Sequence, residues 1–211
     1  LGDYWTLVLV VVLDRFFRKG GKTLSYLSFL AGFYVLLLSL SRSAMVSLLV
    51  GVFYLSKKGE FLRRRKLYLI FFLLGILFLF LYSGTKKSIL LSRPYFSQAM
   101  GSFGDRIYGF GYGNFGEISK SAGSFEGNYS AYTHNLILES LTGFGLLGIV
   151  FLFWVYKVFK EIFFTHKKGD YLFKALLLTL STNFLFDFTY AIPTMLWLWF
   201  TFLGLSQSHD S

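Results

Sequence analysis

Residues 135–156 read NLILESLTGFGLLGIVFLFWVY, an apolar run whose one charged residue is Glu139. At about 1.5 Å per residue, an unbroken helix over this run would rise about 33 Å, enough to cross the hydrocarbon of a bilayer. Six more apolar runs occupy 4–13, 24–40, 44–56, 67–82, 172–190 and 193–206. Backbone polar groups cannot stay unpaired in lipid, so each run reads as a helix and not as a lone strand. The composition agrees, with 55% apolar and 15% charged residues in a chain of 211. A globular average lies near a quarter charged, and a disordered chain has far fewer aromatics than the 21% found here. With no cysteine, disulfides, thiolate metal sites and thiol nucleophiles are excluded.

The formal charge of +10 suggests a nucleic-acid partner until the basic residues are located. Fifteen of the 21 lie in three connectors: Arg15 to Lys22, Lys57 to Lys66, and Lys157 to Lys174. By the positive-inside rule these connectors face the cytoplasm. The region 24–56 must then be two short helices breaking at Ser41-Arg42-Ser43, and 83–133 becomes one long outside loop. Tyr190-Ala191-Ile192-Pro193 becomes a tight turn on the same side. The expected fold is all-α: a polytopic integral membrane bundle of about seven segments, the first clipped, forming a single domain over 1–211. Its expected location is a membrane, multi-pass, with membrane lipids around it, no nucleic-acid partner, the loop 83–133 outside and the C-terminus cytoplasmic. The opening Leu1-Gly2-Asp3 lacks an initiator Met, so this reads as the C-terminal portion of something longer.

Chemistry-bearing residues gather on the expected outer face. Arg42 sits at a hairpin, where a guanidinium serves either to pair with an anionic substrate or to snorkel to lipid phosphates. The loop 83–133 carries ten aromatics, with Arg93 and Arg106, and the glycine-rich stretch Gly109 to Gly116. Gly111-Tyr-Gly113-Asn-Phe-Gly116 spells GxGxxG, but a dinucleotide site needs a βαβ context that is missing here. Positive φ, or a close backbone approach to a ligand, is the safer content of those glycines. Asn128-Tyr129-Ser130 matches a glycosylation sequon, of consequence only in a eukaryotic secretory setting.

His134 is the one histidine expected outside. It lies where a helix begins, with Thr133 or Asn135 available as the cap. The helix N-terminus disfavours a positive imidazole there and attracts anions such as phosphate. Neutral imidazole is the proton-accepting form and suits general-base work; the bland alternative is a cap histidine bonded to a backbone carbonyl. Glu139 and Asp187 lie close to the same level, with Asn183 on the Asp187 face. Either acid could orient His134 or neutralise the arginines. One histidine with scattered acids does not make metal-ligand spacing, so neither metal nor cofactor is expected.

Four segments, in order, resemble the bacterial O-antigen ligase and O-antigen polymerase family: Ser41-Arg42-Ser43-Ala44, Gly109-Phe-Gly-Tyr-Gly113-Asn114-Phe115, His134-Asn135-Leu136-Ile137-Leu138-Glu139 followed by Gly143-Phe-Gly145-Leu-Leu-Gly148, and Asp187 to Trp199. The third is the strongest match, and the resemblance spans about residues 24–206. It implies a metal-independent glycosyltransferase of lipopolysaccharide biosynthesis, multi-pass in the bacterial inner membrane, with its loop 83–133 and active face periplasmic. Such an enzyme moves a glycan from undecaprenyl diphosphate to an acceptor: lipid A–core for a ligase, a second lipid-linked glycan for a polymerase. Carried over by motif, Arg42 would contact the donor diphosphate and His134 would take the acceptor's proton. A second donor arginine would be Arg93 or Arg106, followed by an aromatic at Tyr95 or Phe96. Asn135, Glu139, Asp187, Gly111 and Gly113 would support them. A lipid-linked glycan transporter that forms no bond is the reading from another class.

Overall fold

The computed structural model describes residues 2–19, 23–56, 75, 94–102, 106–121, 130–165 and 170–207. Helix α1 (Gly2–Lys19) is followed by α2 (Thr23–Leu38) and α3 (Arg42–Ser56). Two short helices, α4 (Pro94–Ser102) and α5 (Phe115–Ser121), lie within the stretch read as one loop. Then come α6 (Leu136–Phe144) and α7 (Leu146–Lys160), which runs into a π-helical turn at Glu161–Thr165. α8 (Tyr171–Phe186), a 3-10 turn (Phe188–Ala191) and α9 (Pro193–Gln207) close the order. Among the described residues there is no strand.

Local chemistry sets these boundaries. Asn135 caps α6, its side chain accepting from Leu138 N, and Asp170 caps α8 by accepting from Leu172 N. Ser41 does the same for α3 by accepting from Ala44 N at 3.3 Å. α4 and α9 open on proline, whose missing N–H costs nothing in the first turn.

α1, α3 and α8 pack against one another, with α2 on the outside of α1 and α9 against α8. The α3–α8 contact is the most extensive. It is close because a Cβ at Gly51 would run into Thr179 Oγ1, and Ala44 and Ala175 are fully buried. Leu9, Val10, Leu36, Leu177, Leu180, Phe184 and Trp199 fill this core, and Trp199 Nε1 donates to Ser181 Oγ at 2.8 Å. A small second cluster, Ala99, Phe115 and Ile118, joins α4 to α5.

The multi-pass membrane architecture, and with it the bacterial inner-membrane location, is overturned: among the described residues no helix is long and apolar enough to cross a membrane. The run 135–156 breaks at Gly145 into helices of 9 and 15 residues. α2, α3, α8 and α9 have 15 or 16 residues, a rise of about 24 Å against about 30 Å of hydrocarbon. α1 reaches 18 residues only by including Asp3, Asp14, Arg15, Arg18 and Lys19. The periplasmic placement of 83–133 and the cytoplasmic C-terminus rested on the same spans and lapse with them. Lys174, assigned to a solvated basic connector, is 3% exposed in the first turn of α8. Most of the run 67–82, and His166 and His209, lie outside the described residues.

The break at Gly145 decides how the glycine stretch docks. Gly145 has φ +54°, and a Cβ there would meet the Ile107 carbonyl oxygen and the Gly109 amide. Gly145→Ala is therefore expected to destabilise the protein by about 1–3 kcal/mol through strain and overpacking. Gly204→Ala, in α9 with open space around it, should be neutral or slightly stabilising. Thermal unfolding of the two variants beside the wild type measures the contrast.

Candidate active site around His134

His134 precedes α6 in a left-handed backbone conformation, φ +56°. Such a backbone costs a non-glycine residue about 1–3 kcal/mol and persists only where its surroundings impose it. Here they do so on both sides. Thr133 N donates to Glu139 Oε2 at 2.9 Å, and Thr133 Oγ1 donates to Asn135 O at 2.8 Å. The Asn135 side chain donates to Leu185 O at 2.9 Å, which ties the start of α6 to the end of α8. The only other non-glycine residue with positive φ among the described residues is Leu40, in the turn that leads into Ser41-Arg42-Ser43.

The imidazole is held at both nitrogens. Asp187 Oδ1 lies 3.3 Å from Nδ1, and Ser130 Oγ lies 3.1 Å from Nε2. A carboxylate can only accept, so Nδ1 carries the hydrogen, and in the neutral imidazole Nε2 is the proton acceptor. Tyr95 of α4 stacks on one ring face with centroids 5.4 Å apart, and Phe188 meets the ring edge-on at 5.0 Å. The His134 side chain keeps 18% of its surface exposed.

Asp187 is held in turn by its neighbours. Its Oδ1 accepts from Phe188 N at 2.8 Å, capping the 3-10 turn, and its Oδ2 accepts from Ser43 Oγ at 3.1 Å. Ser43 Oγ is also 3.0 Å from Ser41 Oγ. The first turn of α3, which Arg42 opens, is thereby bonded to the imidazole through one carboxylate. Burial pushes the Asp187 carboxyl up, but the hydrogen bonds from His134 and Phe188 N, the His134 charge and Ser43 outweigh it. The carboxyl lies below the ordinary carboxylate range.

Of the other candidates, Glu139 is 1% exposed and turned away from the imidazole. It accepts from Thr133 N, from Tyr190 OH at 3.2 Å and from Gly113 N at 3.4 Å. Burial, followed by the Glu139 charge, drives the Tyr190 hydroxyl well above the usual phenol range, so Tyr190 stays a donor. Gly109, Gly111 and Gly113 all have positive φ, as the sequence implies. The close approach they allow is to backbone: Phe110 N and Gly111 N donate to Thr142 O and Gly143 O, carbonyls that the end of α6 leaves free. Arg106 sits at this end of α6, its guanidinium 4.8 Å over the Phe110 ring. Phe110 packs against the same small cluster as Tyr95, the residue stacked on His134. Arg93 lies outside the described residues, as do Asn128 and Tyr129 of the sequon. Asn183 bonds Asp3 and Thr189 and not the Asp187 side chain.

Sequence reasoning passed over Ser130, noted only as the end of a sequon, and also Tyr190, Thr133 and Phe188 as working parts. No spacing rule marks a serine four residues before a histidine. Among the described residues no group of three or more His, Asp and Glu could hold a metal ion. No protein-family model, curated protein or solved structure matches the chain.

Two outcomes follow from this geometry. A carboxyl held low contributes stability above the unfolded Asp value of about 4, and that contribution is lost as pH falls through the folded value. The Tm difference between wild type and Asp187→Asn should therefore be present at pH 5 and above and close in stronger acid. Tyr190→Phe removes one donor from a buried carboxylate and should cost about 1–3 kcal/mol, measured by denaturant unfolding.

Proposed function

We propose that the protein is a glycosyltransferase that moves a glycan from undecaprenyl diphosphate to an acceptor sugar hydroxyl. The observation that carries this reading is the bracketed imidazole. Asp187 fixes Nδ1, so the basic nitrogen, Nε2, faces a hydroxyl, that of Ser130, with Oγ 3.1 Å away. His134 would serve as the general base, and the ordered carboxylate beside it stabilises the imidazolium as it forms.

The donor half rests on arginine. A diphosphate gains negative charge as it leaves, and preorganised guanidinium groups stabilise that charge with paired hydrogen bonds. Arg42 is suited to this because its neighbour Ser43 is bonded to the same carboxylate that orients His134. The second donor arginine is Arg93 or Arg106; Tyr95, which stacks on the imidazole, and Phe110, under the Arg106 guanidinium, pack against the same small cluster.

The full chain is expected to transfer glycan from a synthetic undecaprenyl diphosphate donor, with lipid A–core and a second lipid-linked glycan supplied in parallel as acceptors. His134→Ala should lower the rate by about 100-fold or more. Arg42→Ala should do likewise, while Arg42→Lys falls between, keeping the charge without the fork. Thermal unfolding confirms that each variant is folded. Movement of the donor without a new glycosidic bond would overturn the reading in favour of a transporter.

A further inference from the structure

The hydrogens around Ser130 can be counted. Its hydroxyl has one, donated to Tyr132 O at 2.8 Å, while its oxygen accepts from Tyr132 N at 3.3 Å. The Ser130 amide donates to Ser119 Oγ at 3.1 Å, anchoring the residue to α5. Because Asp187 accepts the hydrogen on Nδ1, Nε2 of the neutral ring can only accept in its 3.1 Å hydrogen bond with Ser130 Oγ, and the proton of that bond has to come from the hydroxyl. Rotating the hydroxyl from Tyr132 O toward Nε2 supplies that proton and frees an oxygen lone pair.

Access to the ring favours this route. Both nitrogens of His134 are occupied, one face lies against Tyr95 and an edge lies against Phe188. The group against Nε2 is the Ser130 hydroxyl, so an acceptor that gives its proton to Ser130 Oγ needs no place at the ring itself.

We propose that Ser130 is the proton relay between the acceptor hydroxyl and His134, an inference that rests on the glycan-transfer reading. As the acceptor oxygen bonds the anomeric carbon, the bond from that carbon to the diphosphate oxygen breaks, and its electron pair leaves on the diphosphate. The acceptor proton passes to Ser130 Oγ, and the Ser130 proton passes to Nε2. Asp187 keeps the Nδ1 hydrogen throughout. The same three groups would also be the partners of a Ser-His-Asp nucleophile. Here, however, the Ser130 N–H is taken up by Ser119 and cannot turn to a developing oxyanion.

The test measures transfer by the full chain with the synthetic donor and both acceptors, for wild type, Ser130→Ala and Ser130→Thr. Ser130→Ala should lose about 100-fold or more in kcat with KM unchanged. Ser130→Thr, which keeps the hydroxyl, should retain most of the activity. In mixtures of H2O and D2O the wild-type rate should bow with deuterium fraction, as two moving protons require, and the residual Ser130→Ala rate should fall linearly. Wild-type activity with an equally active Ser130→Ala overturns the relay and leaves glycan transfer standing. A wild type that forms no glycosidic bond with either acceptor overturns both.

Discussion

The Asp187 carboxylate joins segments that are far apart in the chain. One oxygen takes Nδ1 of His134 and the amide of Phe188; the other takes the hydroxyl of Ser43 at the start of α3. Without it the imidazole would lose both its orientation and its link to the helix that Arg42 opens. Hydrogen bonds to the ionised form outweigh the cost of burial, so this link is in place across the neutral range.

A second carboxylate performs the complementary task. Glu139 is buried at the start of α6 and holds the amide of Thr133, the hydroxyl of Tyr190 and the amide of Gly113. It secures the strained backbone next to His134 and so shapes the site without facing it. Asp3 works similarly from α1. Its two oxygens accept from Asn183 and Thr189, which steadies the turn that presents Asp187 and Phe188. The site is thus built where the ends of α1, α3, α6 and α8 meet.

Much of the helical order was legible because apolar runs and caps are local signals. The runs 24–40 and 44–56, parted at Ser41-Arg42-Ser43, correspond closely to α2 and α3. His134 and Asp187 stood out for the same kind of reason, as ionisable residues at the ends of such runs. The membrane reading went astray at Gly145. Apolarity is summed over a window, whereas a left-handed glycine ends a helix whatever the residues around it. Lys174 went astray for the converse reason: a charge counted as connector is buried once α8 packs on its neighbours.

What the sequence determined by itself was the helical character of the long apolar runs, a cap at Thr133 or Asn135, and which side chains could carry a proton; the two short helices inside the stretch read as a loop were not among them. The features it did determine depend on contacts a few residues apart, which the order of residues already contains. Only the tertiary structure decided that Asp187 and not Glu139 meets the imidazole, that the glycine stretch closes onto the end of α6, and that Ser130 stands at Nε2. Those outcomes depend on where helices cross, and the crossing is set by packing between residues that the chain keeps far apart.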